Sequence, residues 1–188
     1  MSEVRSQTKR GGAGVRFLPI QPYDSRPDTY EHIGKVRGYL VAAVENLLAR
    51  AQGHDTSKLI EPEVGTFDEF TPKLAQITYS SHEYQCALNA MGPALEHHYA
   101  NNSHHPEGHA DGIAGMSLLD LLEMVCDWKA ASERHKKRPP FPAAPGRKEA
   151  PQYDSDIIRS IDLNQERFGY GDELRSILEN TARELGYA

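Results

Sequence analysis

Apolar residues recur at helical spacing along most of this chain, and nowhere do they alternate convincingly as a half-buried strand requires. Ile33, Val36, Leu40, Ala43 and Leu47 mark one face of a helix over 29–51, with Asp28 as N-cap and Glu31 at the capping-box position. Gly53 ends it, and a second, shorter helix is expected from His54 to Leu59. Pro62 and Gly65 then interrupt, while Val64, Phe67, Phe70 and Leu74 anchor an irregular or short-helical stretch. Ser80 or Ser81 caps a third helix, striped by Tyr84, Leu88, Met91 and Leu95 and kinked at Pro93, which runs into His97-His98. The run NNSHHPEGHADGIAG is loop by composition. Ser117 caps a helix over 118–134 that is apolar nearly all round and so belongs at the centre of the domain. Two helices close the chain. One, near 156–168, carries Ile157, Ile158 and Ile161; the other, near 172–185, carries Leu174, Ile177, Leu178 and Ala182. The predicted fold is all-α, a compact bundle of about six helices.

Composition narrows the partners. Residues 1–27 are polar and read as a flexible tail. The span 28–188 reads as one domain, long enough to bury a core, with an exposed Pro-rich, basic loop at 136–153. A net charge of −6 and a pI near 5.8 offer no basic excess for a phosphate backbone, which argues against duplex nucleic acid. A small anionic substrate stays open, because a bound cation reverses the local sign. The two cysteines, Cys86 and Cys126, lie in apolar helical patterns and are expected to be buried thiols, no disulfide framework, so a reducing cytoplasm is the expected compartment. No apolar run reaches membrane-spanning length, and residues 1–16 do not read as a secretory signal. Association into homo-oligomers is left open.

The remaining signal is a string of histidines and aspartates: His32, the doublet His54-Asp55, the run from His97 to His109, and Asp127 inside an apolar helix. Imidazole and carboxylate are the protein ligands of borderline and hard metal ions. Neighbours on a helix diverge by about 100°, so His54 and Asp55 can share an ion only where side chains fan out loosely, at a helix's first turn. Asp127 lies among Leu121, Leu122, Met124, Val125, Cys126 and Trp128. A carboxylate there needs a cation or several donors. Asp120, Glu123 and Asp127 share one helix face, for which the solvated reading is reasonable at Asp120 and weaker at Asp127.

His32, His54-Asp55 and Asp127 resemble, in order and spacing, the H…HD…D signature of the HD-domain superfamily of metal-dependent phosphohydrolases, and HDTSK resembles its HD-x-x-K form. HHPEGHADGIAG is faintly similar to the HHE…DG…G stretch of the HD-GYP cyclic-dinucleotide phosphodiesterases, although Pro106 splits the HHE and no GYP follows. EHHYANNSHHPE, LLEMVCDWKAAS and NQERFGY also resemble a family of short bacterial and phage proteins of uncharacterised function, over about 29–185. The HD resemblance implies a helical domain holding one or two divalent ions (Mn, Mg, Co, Zn or Fe) on His32, His54, Asp55 and Asp127, with Asp55 shared between two ions. Dinuclear members add two histidines, here one of His97 or His98 and one of His104 or His105. His98 is taken because it continues the buried stripe of Met91 and Leu95; His104 is taken, with His105 an equal alternative.

Further roles follow from position. Lys58, three residues after Asp55, is placed to contact a substrate phosphate and to take part in catalysis with Asp55. Glu123 is placed to act as a base or to orient a histidine. Lys129 and Arg134 are candidate substrate contacts, with a solvated helix end as the alternative. The expected function is metal-dependent hydrolysis of a nucleotide or other small phosphorylated metabolite. The alternatives are an HD-fold di-iron oxygenase and a non-catalytic module that binds a nucleotide or a protein.

Overall fold

The apolar stripes fold as helices. A computed structural model describes residues 23–77, 81–134 and 157–188. In it, α1 spans Arg26–Gly53, α2 Val64–Leu74, α3 His82–Asn101, α4 Leu118–Arg134, α5 Ile157–Phe168 and α6 Asp172–Glu184. Short 3-10 turns lie at Thr56–Leu59, Pro106–Gly108 and Gly112–Gly115, and the described residues contain no strand. The chain is all-α. Of the expected tail at 1–27, residues 1–22 lie outside the described residues, as does the Pro-rich loop at 136–153; Arg26 and Pro27 of that tail already belong to α1. No described helix is long and apolar enough to cross a membrane.

The chain divides into two compact units, Met1–Ala43 and Val44–Ala188, with the boundary inside α1. In the first unit, α1 begins at Arg26, two residues before the expected cap at Asp28. Asp24 does the capping, accepting from the Arg26 backbone N–H at 3.1 Å and from its guanidinium at 2.8 Å. His32 sits here, exposed on α1.

The second unit is built on α4, α5 and α6. Leu121, Met124 and Val125 of α4 pack with Ile157 and Ile161 of α5, Leu178 and Ala182 of α6, and Tyr170 between them. The Tyr170 hydroxyl donates to the Ile161 carbonyl at 2.5 Å, which satisfies the one polar atom this ring buries. Contrary to the expectation of an apolar helix buried all round, α4 hides one face only, and Leu118 is 79% exposed. The expected buried thiols are also corrected. Cys86 and Cys126 are both exposed: Cys86 lies off the Tyr84–Leu88–Met91 stripe, and Cys126 lies beside the buried face of α4, its Sγ 3.6 Å from the Tyr187 hydroxyl.

On α3, Ser81 is the N-cap, accepting from the Tyr84 N–H. The helix breaks at Gly92 (φ 42°), one residue before the expected kink at Pro93. Proline disfavours the helical region for the residue that precedes it, and glycine accommodates the positive φ. Past α3 the chain turns tightly under it. A Cβ on Gly108 would sit 2.3 Å from the Tyr99 carbonyl oxygen, so only glycine fits there.

The start of α4 is fastened by a capping box with Asp in the acidic position. Ser117 Oγ accepts from the Asp120 N–H, and Asp120 Oδ2 accepts from the Ser117 N–H (2.8 Å) and Oγ (2.7 Å). Its other oxygen accepts from Ser103 Oγ (2.6 Å) and Arg50 (2.7 Å). Asp120 is 5% exposed, not solvated as its sequence position permits. Burial alone would raise its pKa; the hydrogen bonds from Ser103, Ser117 and Arg50 outweigh burial and hold it well below the ordinary carboxylate range. We therefore expect Asp120→Asn to lower the unfolding free energy at pH 7 by about 2–3 kcal/mol, since donors on three residues lose a charged acceptor. A depressed folded-state pKa stabilises above the unfolded value and ceases to do so as pH falls, so the deficit should shrink below about pH 4. Urea melts of both proteins across pH 3–7 measure it; a deficit independent of pH would contradict this account.

Candidate metal centre

His54 and Asp55 do not begin a helix. They form the turn between α1 and the Thr56–Leu59 segment, and Asp55 takes a left-handed backbone conformation, φ 57° and ψ 11°. A non-glycine residue there is strained by about 1 kcal/mol or more, and such strain persists where the surroundings require it. The turn is what lets two adjacent side chains meet in one place.

Around Asp55 the second unit gathers six other groups. Asp55, His98, His104 and His105 each offer a ligand atom within 4.8 Å of the others; so do His54, Asp55 and Asp127, and so do His54, His104 and Glu123. Asp55 faces both ways. Its Oδ1 lies 3.4 Å from His98 Nε2 and 3.6 Å from His104 Nε2. Its Oδ2 lies 3.7 Å from His54 Nε2, which is 3.7 Å from Asp127 Oδ1. His98 Nε2 and His105 Nε2 approach to 2.9 Å. Ligands about 2.1 Å from a common ion stand about 3.0–3.4 Å apart at octahedral or tetrahedral angles, so several of these separations are close to the edges of a coordination shell.

Among the described residues, three buried atoms here have no hydrogen-bond partner: Asp55 Oδ1 and both ring nitrogens of His104. His104 Nδ1 is 3.2 Å from Glu123 Oε1 but out of line for a hydrogen bond. Orphaned polar atoms in a folded interior cost about 1–3 kcal/mol each. Their convergence with other imidazoles and carboxylates fits a cation as the missing partner.

The histidines are held by carboxylates behind them. His54 Nδ1 is 2.9 Å from Glu123 Oε1, and Arg50 donates to Glu123 Oε2 at 3.0 Å. His98 Nδ1 is 2.9 Å from Glu63 Oε2. Each contact calls for a proton on Nδ1 and turns Nε2 toward Asp55. Protonation also sorts the rings. Burial pushes His98, His104 and His105 down, His105 to about 3, leaving neutral imidazoles with free lone pairs. His54 is raised to about 9, chiefly by the nearby Asp127 carboxylate and, against burial, by Glu123 and Asp55. Asp55 and Asp127 are both pushed up by burial but end below the ordinary carboxylate range, Asp55 through Lys58 and Asp127 through His54.

The expected residues divide accordingly. His54, Asp55, His98, His104 and Asp127 come together. His105 joins them beside His104, so both histidines that compete in the sequence lie in the cluster. Lys58 Nζ lies 2.6 Å from Asp55 Oδ2 and 5.1 Å from the centre of the Phe67 ring. His32 belongs to the first unit and to none of the ligand groups among the described residues. Lys129 donates to the Tyr187 carbonyl at 2.8 Å and lies 3.4 Å from Glu133; it is engaged with the C-terminus, not with the ligand groups. The Arg134 side chain lies outside the described residues. Arg50, Ser57, Glu63 and Asn102 support the site and have no motif that marks them in the sequence.

The model of a family of unknown function, DUF5662, matches residues 21–185, and the chain belongs to that family. No curated protein and no solved structure matches it.

Proposed function

Starting from membership in a family of unknown function, we propose that this chain is a metal-dependent phosphohydrolase acting on a nucleotide or other small phosphorylated metabolite through a dinuclear His/Asp centre. The observation that carries the reading is the trio of orphaned buried atoms, Asp55 Oδ1 and both nitrogens of His104, inside a ring of ligand groups. One ion would be held by Asp55, His98, His104 and His105, the other by His54, Asp55 and Asp127. This imidazole-rich set suits Mn, Fe, Co or Zn better than Mg. Bound ions of this kind lower the pKa of water to near neutrality and neutralise phosphate charge.

The chain's own groups supply the rest. Asp55 is shared between the two ligand sets. Lys58, now on Asp55, can turn its ammonium to a phosphate oxygen once cations neutralise that carboxylate. Glu123 and Arg50 keep the His54 ring in place.

Protein loaded with Mn and supplied with a phosphodiester or nucleotide should release product, stop after chelation, and resume on restoring the ion. Chelation should also lower the thermal midpoint by about 5–10 °C, because an ion at 100 times its Kd stabilises the folded state by about 2.7 kcal/mol. A chain that carries no metal and melts unchanged in chelator contradicts the reading and favours a binding module. The three-histidine, one-carboxylate set also suits iron. Dioxygen consumption by iron-loaded protein, with no hydrolysis, would favour the oxygenase instead.

A further inference from the structure

Glu63 takes no part in either ligand set, and it is the most deeply buried carboxylate among the described residues, with 0% of its surface exposed. It sits at the N-cap position of α2, where its side chain makes no capping bond. All its hydrogen bonds run the other way. Oε1 is 2.7 Å from His97 Nδ1; Oε2 is 2.9 Å from His98 Nδ1 and accepts from Ser57 Oγ at 3.0 Å. Burying an ionised carboxylate this completely is costly unless every oxygen is matched, and here each oxygen is matched by a donor.

The protons in this cluster can be followed one by one. The Asn102 amide nitrogen has two hydrogens, and both are used, on Ser57 Oγ at 2.8 Å and on the His98 carbonyl at 2.8 Å. It therefore has none for His98 Nδ1, although it lies 3.0 Å away. The Ser57 hydroxyl accepts from Asn102 and gives its own hydrogen to Glu63 Oε2, the charged and nearer acceptor at 3.0 Å, over His98 Nδ1 at 3.3 Å. The contact left between His98 Nδ1 and the Glu63 carboxylate requires a hydrogen on Nδ1, because the carboxylate has none to give. His98 Nε2 is then the lone-pair nitrogen, and it is the atom that faces Asp55 Oδ1 and His105 Nε2.

We propose that Glu63 is a positioning residue that locks His98 in its Nδ1–H form and aims its Nε2 lone pair at the cation of the Asp55–His98–His104–His105 set. This rests on the metal-centre reading given above. It extends that reading because it gives the site two matched supports, Glu63 behind His98 and Glu123 behind His54, one for each ion. His97 shares Glu63 but offers its ring to no ligand set, which makes it an internal control.

Two measurements test this. Long-range proton–nitrogen NMR of wild-type protein without added metal should show His98 as the Nδ1–H tautomer; the opposite tautomer overturns the proposal, and no variant needs to fold for that result. Titration with Co2+, followed by visible absorption and metal content, should then show Glu63→Gln binding one of its two ions about 10–100-fold more weakly, with an altered spectrum for that ion. His97→Gln should keep wild-type affinities and spectrum. A folded Glu63→Gln with wild-type Co2+ affinities and spectrum overturns the role of Glu63 while leaving the metal centre standing. Wild-type protein that binds no Co2+ overturns both.

Discussion

If the proposed centre holds two ions, Asp55→Asn should cost the protein both. Asn tolerates the left-handed backbone that residue 55 adopts (φ 57°) and keeps the side chain's shape, so the turn survives. What it removes is the one negative charge shared by both ligand sets. We expect each ion to bind at least about 100-fold more weakly, roughly 2.7 kcal/mol per site, and metal-supported phosphate release to fall with it. Metal-free stability should move by less than about 1 kcal/mol. The partly exposed Lys58 pair is lost, but an unpartnered buried carboxylate oxygen is relieved of its charge. Equilibrium dialysis with elemental analysis, set beside melts in chelator, separates the two effects. A variant that holds two ions as tightly as wild type would mean that Asp55 is a structural turn residue and the shared-carboxylate arrangement is wrong.

The helices were readable because periodicity is a local property: a stripe such as Tyr84, Leu88, Met91 and Leu95 specifies its helix whatever it packs against. The same stripe turns His98 inward and leaves His97 at the edge. Exposure was harder to read, since it depends on which neighbour covers which face. Cys86, Cys126 and Leu118 sit in apolar runs but on uncovered sides. Hidden most completely were the groups whose roles need partners far along the chain. Arg50 reads as an ordinary cation at the end of a helix, yet its carboxylates lie 70 and 73 residues away. Glu63 lies in a polar Glu-Pro-Glu run with nothing to mark it. The turn at Asp55 was unreadable for another reason: a non-glycine residue at positive φ runs against local preference and is imposed by tertiary structure. The choice between His104 and His105 had no local answer because the fold brings both beside Asp55.

His104→Leu separates a structural reading of this cluster from a functional one, because the two predict opposite signs. His104 is 1% exposed, its pKa is pushed down by burial, and neither nitrogen has a hydrogen-bond partner among the described residues. Its ring lies against those of His54 and His105, with centroids 4.5 and 4.2 Å away. If the ring were there for packing, an aliphatic side chain of similar volume would loosen those contacts and destabilise the fold in every condition. If it is there for a cation, the protein in chelator carries two unsatisfied buried nitrogens, and an apolar replacement relieves them. We expect the second outcome. In chelator, His104→Leu should gain about 1–3 kcal/mol, with the thermal midpoint rising about 2–4 °C for each kcal/mol. With saturating metal the order should reverse, because wild type gains about 2.7 kcal/mol at 100 times the Kd and the variant loses a ligand from the His98–His105 set. Such a crossing of two melting series is hard to obtain from packing alone. A variant less stable than wild type in chelator would return His104 to the core as an ordinary buried ring.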